Sequence, residues 1–250
     1  AKNYGIPFRS NLKFINDQIF LANQDNEIYS IDAKTGDKKW QFATSLTFLK
    51  SDFINNFALD IINNNLFFLN TSGELYSINY LNQNVNWMLN FKNPSLVINT
   101  DLFLSQPIVI KNNNLIISTE KAVLSYDIIA ASRNWTFPSK AVLKPIVTFN
   151  YTYIITKNDL LICLSNTSGE VIWSKNIYKN LQAKKIKKKV GKFYDFKIVN
   201  KEINLYSKNG YLLSFNFSTG NLDYLNRISK NGISSEIVFL NNHMLFIDND

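Results

Sequence analysis

Apolar residues along the chain come in short blocks, each the length of a strand. From Ile19 to Phe42 three of them follow one another. Ile19–Ala22 is apolar throughout, Glu27–Ile31 sets Ile28 and Ile31 against Tyr29 and Ser30, and Lys39–Phe42 carries Trp40. Polar clusters separate them. The first is Asn23–Asn26; the second is Asp32–Gly36, with Asp early and Gly late, where a positive φ carries no steric penalty. Short strands bounded by such turns predict antiparallel β-structure.

The group of three recurs at Leu66–Phe91, Leu115–Phe137, Tyr153–Ile177 and Ile203–Ile228, and Met244–Asp250 opens a further copy. Trp40 and Trp87 fall 21 residues after the start of their units, and Trp135 and Trp173 fall 20 after theirs. Tyr224 holds the same place, 21 residues after Ile203. All four tryptophans thus share one register. A period of roughly 40–50 residues with only strands in it predicts an all-β fold, a β-propeller of four-stranded antiparallel blades. At that register an indole ring can wedge between adjacent blades and give its N–H to a backbone carbonyl, so Trp40, Trp87, Trp135 and Trp173 are expected at equivalent buried positions with a structural, blade-docking role. Residues 1–250 are read as a single propeller domain of five complete units and one partial unit. Ala1–Tyr4 resembles the Ser174–Ile177 stretch that follows Trp173, and Met244–Asp250 lacks outer strands. Both ends are therefore expected to cut through a larger propeller.

Composition narrows the chemistry. Of the 250 residues 46% are apolar, ample for a buried core. The one cysteine, Cys163, lies in the apolar strand Leu160–Leu164 and is expected as a buried thiol. The one histidine, His243, sits in the turn-like Asn241–His243 and is too little for a His-rich zinc site or a Ser/His/Asp set. There is no Gly-rich phosphate loop and no apolar run of about 18 residues. Asp and Glu fall mainly in turns, where their side chains cap the local backbone. No catalytic, cofactor-binding or metal-ligating residues emerge. The net charge is +8, concentrated in Lys184–Lys192, KKIKKKVGK. Such a run could meet acidic headgroups or nucleic acid, but a solvated loop is the expected form, with no nucleic-acid partner, because no aromatic stacking pattern accompanies it.

The segments after each tryptophan contain the first strand of the next blade, as in Gln106–Ile110 and Lys144–Val147, each with Pro near its start. What precedes those strands, such as Thr44–Asp52, must form loops at one end of the blades, where function is usually carried.

The Gly-x-x-x-Trp endings, Gly36–Trp40 and Gly169–Trp173, resemble the PQQ-like propeller repeat, and within that superfamily the chain looks most like the BamB family of outer-membrane assembly lipoproteins. The resemblance covers essentially the whole chain. It implies an eight-bladed propeller, of which this chain would span the end of the second blade to the start of the eighth. It further implies a non-enzymatic scaffold without cofactor at the periplasmic face of the bacterial outer membrane. The anchor would be a lipid attached outside this chain, and the chain itself would not enter the membrane. The implied partners are the POTRA region of BamA, other subunits of the β-barrel assembly complex, and unfolded outer-membrane proteins. The family's partner-gripping loop, apolar residues and an arginine shortly after a blade-closing tryptophan, maps onto Leu46, Phe48 and Lys50, with Lys in place of Arg. Lysine cannot make the planar bidentate contact. Asn93–Ile98, after Trp87, is the rival location.

Two other classes share the repeat. A PQQ-dependent dehydrogenase would carry a Glu and an Asn on Ca²⁺, an Asp base and two adjacent cysteines, and adjacent cysteines are absent here. A propeller sensor domain of a membrane kinase would be distinguished by its upstream sequence.

Overall fold

The computed structural model describes residues 2–45, 56–92, 102–179, 181, 183–241 and 243–249. Among them are five four-stranded antiparallel sheets and one two-stranded sheet. The first holds β1 (Lys13–Ile15), β2 (Gln18–Ala22), β3 (Glu27–Asp32) and β4 (Lys38–Ala43), and the second β5 (Asn56–Asp60), β6 (Asn65–Leu69), β7 (Glu74–Asn79) and β8 (Val85–Asn90). The third holds β9 (Val109–Lys111), β10 (Asn114–Ser118), β11 (Val123–Asp127) and β12 (Arg133–Phe137). The fourth holds β13 (Ile146–Val147), β14 (Tyr151–Ile155), β15 (Leu160–Ser165) and β16 (Val171–Asn176). After helix α1 (Ala183–Val190) come β17 (Phe193–Val199), β18 (Glu202–Ser207), β19 (Tyr211–Asn216) and β20 (Leu222–Arg227), then the pair β21 (Val238–Leu240) and β22 (His243–Leu245). In each sheet the strands lie in chain order, which is the up-and-down weave of a propeller blade. His243, read as part of a turn, instead opens β22, where Leu240 faces it across the hairpin. The chain divides into two compact units, Ala1–Asn134 and Trp135–Asp250, with the division inside β12.

The alternation read in Glu27–Ile31 implied one wet face, but Ile28, Tyr29, Ser30 and Ile31 are all buried. Ile28 packs with Leu66 and Phe68 of the second sheet, and Tyr29, on the other face, meets the rings of Tyr4 and Phe8 edge-on. β6 shows the same two-sided cover from two neighbouring sheets. Leu66 and Phe68 pack with Phe20, Ile28 and Tyr80, whereas Phe67 and Leu69 pack with Leu115, Ile117 and Ile128. Successive side chains point to opposite faces, and both faces are covered, so the inner strands read as apolar runs. The fourth strands alternate, with β4, β8 and β16 exposing every other residue.

Trp40, Trp87 and Trp173 stand opposite Ser30, Ser77 and Cys163, and Tyr224 stands opposite Ser214. A register shift follows immediately in each of these pairs, a bulge that bends the outer strand. The Trp87 indole donates to Ile128 O at 3.0 Å, and the Trp135 indole to Asn166 O at 2.8 Å, each carbonyl lying just past the third strand of the next sheet. Trp135 is 6% exposed, whereas Trp40, Trp87 and Trp173 are half-buried.

The reading of Lys184–Lys192 as a solvated loop is corrected, since Ala183–Val190 is helical. Ile186 and Val190, four residues apart, fall on one face and pack against the core of the second unit with Ile177 and Tyr178. Lys187, Lys188 and Lys189 occupy the last turn, where cations complement the helix dipole. Gly191 ends the helix at φ 72° and bonds back to Lys187 O at 2.9 Å. No helix among the described residues is long and apolar enough to cross a membrane.

Candidate functional site

The turns joining the second and third strands lie at the same end of a blade as the long connections between blades. In the first two sheets these turns share one spacing, Asn23…Glu27…Tyr29 and Asn70…Glu74…Tyr76. The asparagine caps its own turn. Asn23 Oδ1 accepts from Asp25 N at 2.9 Å and Glu27 N at 3.0 Å, and Asn70 Oδ1 from Ser72 N at 3.0 Å and Glu74 N at 2.9 Å. Its amide then donates to the glutamate, at 2.7 Å for Asn23 to Glu27 Oε2 and 3.0 Å for Asn70 to Glu74 Oε2. The tyrosine hydroxyl donates to the same oxygen, at 3.1 Å from Tyr29 and 2.8 Å from Tyr76. Burial raises the pKa of both phenols, which keeps them protonated donors.

The two turns are also tied to each other. Asn26, fully buried, accepts at its Oδ1 from Thr71 N at 3.2 Å and Thr71 Oγ1 at 3.1 Å. Thr44 Oγ1 donates to Asn26 O at 2.7 Å and accepts from Asn70 Nδ2 at 3.2 Å, and Ser45 Oγ donates to Glu74 Oε1 at 2.8 Å. Glu74 is thereby satisfied by Ser45, Asn70 and Tyr76. Thr44 and Ser45 are the last described residues before segment 46–55. Beyond it, Asn56 Nδ2 donates to Ser105 Oγ at 2.9 Å.

The Asn70–Glu74 turn holds a second connection as well. Phe91 N donates to Gly73 O and Phe103 N to Thr71 O, both at 2.9 Å, and the two rings stack with centroids 5.8 Å apart. Phe91 and Phe103 flank segment 93–101. The bases of the two connections that were rival locations therefore meet on one turn. Leu46, Phe48 and Lys50, like the rival residues Asn93–Ile98, lie outside the described residues. The Asn-x-x-x-Glu-x-Tyr network escaped the sequence reading. Its signal was the identical spacing in NQDNEIY and NTSGELY at corresponding places in successive units.

Other chemistry is sparse. Among the described residues no three His, Cys, Asp or Glu side chains are grouped to hold a metal. Both oxygens of Glu74 accept hydrogen bonds, from Ser45, Asn70 and Tyr76, and Glu27 accepts at Oε2 from Asn23 and Tyr29. Cys163 is buried, and burial pushes its thiol up to about 11, far from the range of a reactive thiolate.

Residues 6–175 match the family described as outer membrane protein assembly factor BamB. No curated protein sequence matches the chain. Among solved structures, BamB from Moraxella catarrhalis is similar with a TM-score of 0.71 at 12% identity, over 95% of this chain and 68% of that one. The quinohemoprotein alcohol dehydrogenase ADHIIG from Pseudomonas putida HK5 is similar with a TM-score of 0.65 at 12% identity. That alignment takes in 91% of this chain and 43% of the dehydrogenase. At these identities the likeness establishes the β-propeller fold.

Proposed function

Because the chain belongs to the outer membrane protein assembly factor BamB family, we propose that it is a non-enzymatic scaffold of the β-barrel assembly complex, working at the periplasmic face of the outer membrane and docking the POTRA region of BamA. The observation that carries this reading is that Ser45, Phe91 and Phe103, which stand beside segments 46–55 and 93–101, are all held on the Asn70–Glu74 turn, inside the span that matches the family. A docking surface needs a support that does not yield when a partner binds. A turn whose carboxylate is buried and whose polar groups satisfy one another supplies one. In the docked state Leu46 and Phe48 are the apolar anchors and Lys50 the basic contact at the edge, a division in which the buried anchors carry most of the binding energy. The family membership and the engagement of both Glu74 oxygens by Ser45, Asn70 and Tyr76 favour this reading over a dehydrogenase. The likeness to ADHIIG supports a quinone-binding alternative in fold only.

The test is a pull-down of the protein with the periplasmic region of its own BamA. Leu46→Asp with Phe48→Asp abolishes capture while the β-rich circular dichroism spectrum is unchanged, and Lys50→Ala weakens capture less. Leu96→Asp with Ile98→Asp, on the neighbouring connection, lowers capture as well. Undiminished capture by both double variants would remove this end of the first unit from consideration, and a quinone absorbance shift on adding PQQ and Ca²⁺ would favour the dehydrogenase reading.

A further inference from the structure

Residues 181–192 hold six lysines and no acid. Helix α1 turns Ile186 and Val190 to the core and leaves Lys184, Lys185, Lys187, Lys188 and Lys189 exposed. The helix is pinned to the turns beside it, since Lys187 pairs with Asp159 and Asn209 Nδ2 donates to Lys189 O at 2.9 Å. A Cβ on Gly191 would lie 2.7 Å from Asn209, so the glycine allows this close approach. Past the end of α1 a pocket of about 410 Å³ opens, lined by Lys189, Asn209, Tyr211, Arg227, Lys230 and Gly232 among others, with no Asp or Glu in its wall.

Arg227 is held in place there. Its Nε donates to Ser229 O at 3.1 Å and its Nη2 to Lys230 O at 2.6 Å, and the guanidinium lies 5.6 Å from the centre of the Tyr211 ring. Two of its five N–H donors are thus used, and they fix the plane of the rest. The floor is equally set. Ser229 Oγ donates to Gly232 O at 2.8 Å and accepts from Gly232 N at 2.9 Å, and Ile233 N donates to Lys208 O at 3.0 Å. Neither Lys189 nor Lys230 has a carboxylate partner among the described residues. Three cations lining one pocket repel one another, and a bound anion relieves that repulsion.

We propose that this pocket binds a phosphate group, free or borne on a lipid headgroup, and that the lysine face of α1 draws the anion to it. The charge count selects phosphate over carboxylate. A phosphate monoester carries about −1.5 to −2 near neutral pH and offers three acceptor oxygens, which matches an oriented guanidinium flanked by two ammonium groups. A carboxylate would leave two of the three cations uncompensated.

The test compares two charge-matched variants of the full chain. Lys189→Gln with Lys230→Gln removes two charges from the pocket, and Lys184→Gln with Lys185→Gln removes two from the helix outside it. Inorganic phosphate is titrated calorimetrically, and flotation is measured with phosphatidylcholine vesicles with and without phosphatidic acid. The pocket pair weakens binding roughly tenfold, as expected for lost charge-assisted hydrogen bonds, and the helix pair changes it by no more than about twofold. Pocket-dependent binding of inorganic phosphate identifies a free-phosphate site. Pocket-dependent flotation without phosphate binding identifies a lipid-borne phosphate. Equal losses in the two variants would reduce the effect to diffuse charge and overturn the proposal, as would binding to neither probe.

Discussion

Residues 1–134 hold eleven Lys and Arg against eleven Asp and Glu, whereas residues 135–250 hold sixteen against eight, so the second unit carries the whole net charge of +8. Inside the blades the two units are built alike, with apolar inner strands buried on both faces and an outer strand bearing an aromatic residue beside a bulge. They differ in the connections between blades. In the first unit Thr44 and Ser45 are drawn into an internally satisfied hydrogen-bond network around the Glu74 carboxylate. In the second, the connection is a lysine helix beside a pocket without acids. Blade packing tolerates either, because the stacked faces do the stabilising and the ends of the blades are free to vary. What distinguishes one region of this protein from another therefore lies at its connections.

The seams between blades allow that contrast to be tested where the units should behave most alike. Trp135 is 6% exposed and Trp87 is half-buried, and both donate an indole N–H to the next sheet. Trp135→Ala is expected to cost about 3–5 kcal/mol, the usual range for emptying a buried aromatic site. Trp87→Ala should cost less, about 2–3 kcal/mol, because part of that ring is already in water. Urea unfolding followed by circular dichroism reads both, and equal losses at the two sites would mean that exposure does not rank the seams.

A second difference runs through the turn before each outer strand. The residue packed at the end of that turn has positive φ throughout, at Gly36, Gln83, Ala131, Gly169 and Gly220 with φ of 73°, 65°, 52°, 74° and 68°. In the second unit it is glycine, because a Cβ on Gly169 would lie 2.7 Å from the Trp135 ring and one on Gly220 would lie 2.5 Å from Trp173. In the first unit, Ala131 and Gln83 show that a side chain is accommodated there. Gly169→Ala should therefore destabilise by about 2–4 kcal/mol, combining left-handed strain with overpacking. Ala131→Gly should be neutral or stabilising by up to about 1 kcal/mol, since relief of strain is partly offset by unfolded-chain entropy. If both substitutions shifted the urea midpoint in the same direction, the two kinds of seam would be equivalent after all.

These particulars also mark how far the sequence could be read. The tryptophan period was legible because a large aromatic residue recurs at one register, and with it came the four-stranded blades. The burial of both faces of β3 was not, because Glu27–Ile31 has the polarity of a strand with one wet face, and it is Tyr4 and Phe8, distant in sequence, that cover Tyr29 on the other. Helix α1 was hidden by its charge: six lysines in the nine residues Lys184–Lys192 read as a solvated loop, and the pair Ile186 and Val190 is a short apolar signal. The sequence offers the connections after Trp40 and Trp87 as candidate docking places, and their named residues lie outside the described ones; the Asn70–Glu74 turn stands beside both. The network of that turn was not legible, since an asparagine and a glutamate four apart look like ordinary turn residues until a tyrosine two further on and a serine from the adjoining connection close around them.

The smallest expected effect concerns the start of those same turns. The first residue caps two following amides in every complete blade. Asp32 accepts from Lys34 N and Thr35 N, Asn79 from Leu81 N and Asn82 N, Asp127 from Ile129 N and Ala130 N, Ser165 from Thr167 N and Ser168 N, and Asn216 from Ser218 N and Thr219 N. Only in the first unit is the cap ever a carboxylate. The amide of Thr35, then that of Lys34, then the Lys39 ammonium lower the pKa of Asp32 to about 2. A carboxyl whose folded pKa lies below its unfolded value of about 3.9 adds stability that is complete above that value and is lost as pH falls through the folded one. Between about pH 4 and pH 2 the wild-type chain should therefore lose stability from this turn. Asp32→Asn should keep the cap, as Asn79 and Asn216 do natively, and lose nothing further there. The measurement is the urea midpoint at pH 6 and at pH 3 for both proteins. A smaller acid-induced drop in the Asn variant is expected, modest because the site is exposed to solvent. An identical drop in the two proteins would show that the cap works through geometry alone and that the first unit gains nothing from its charge.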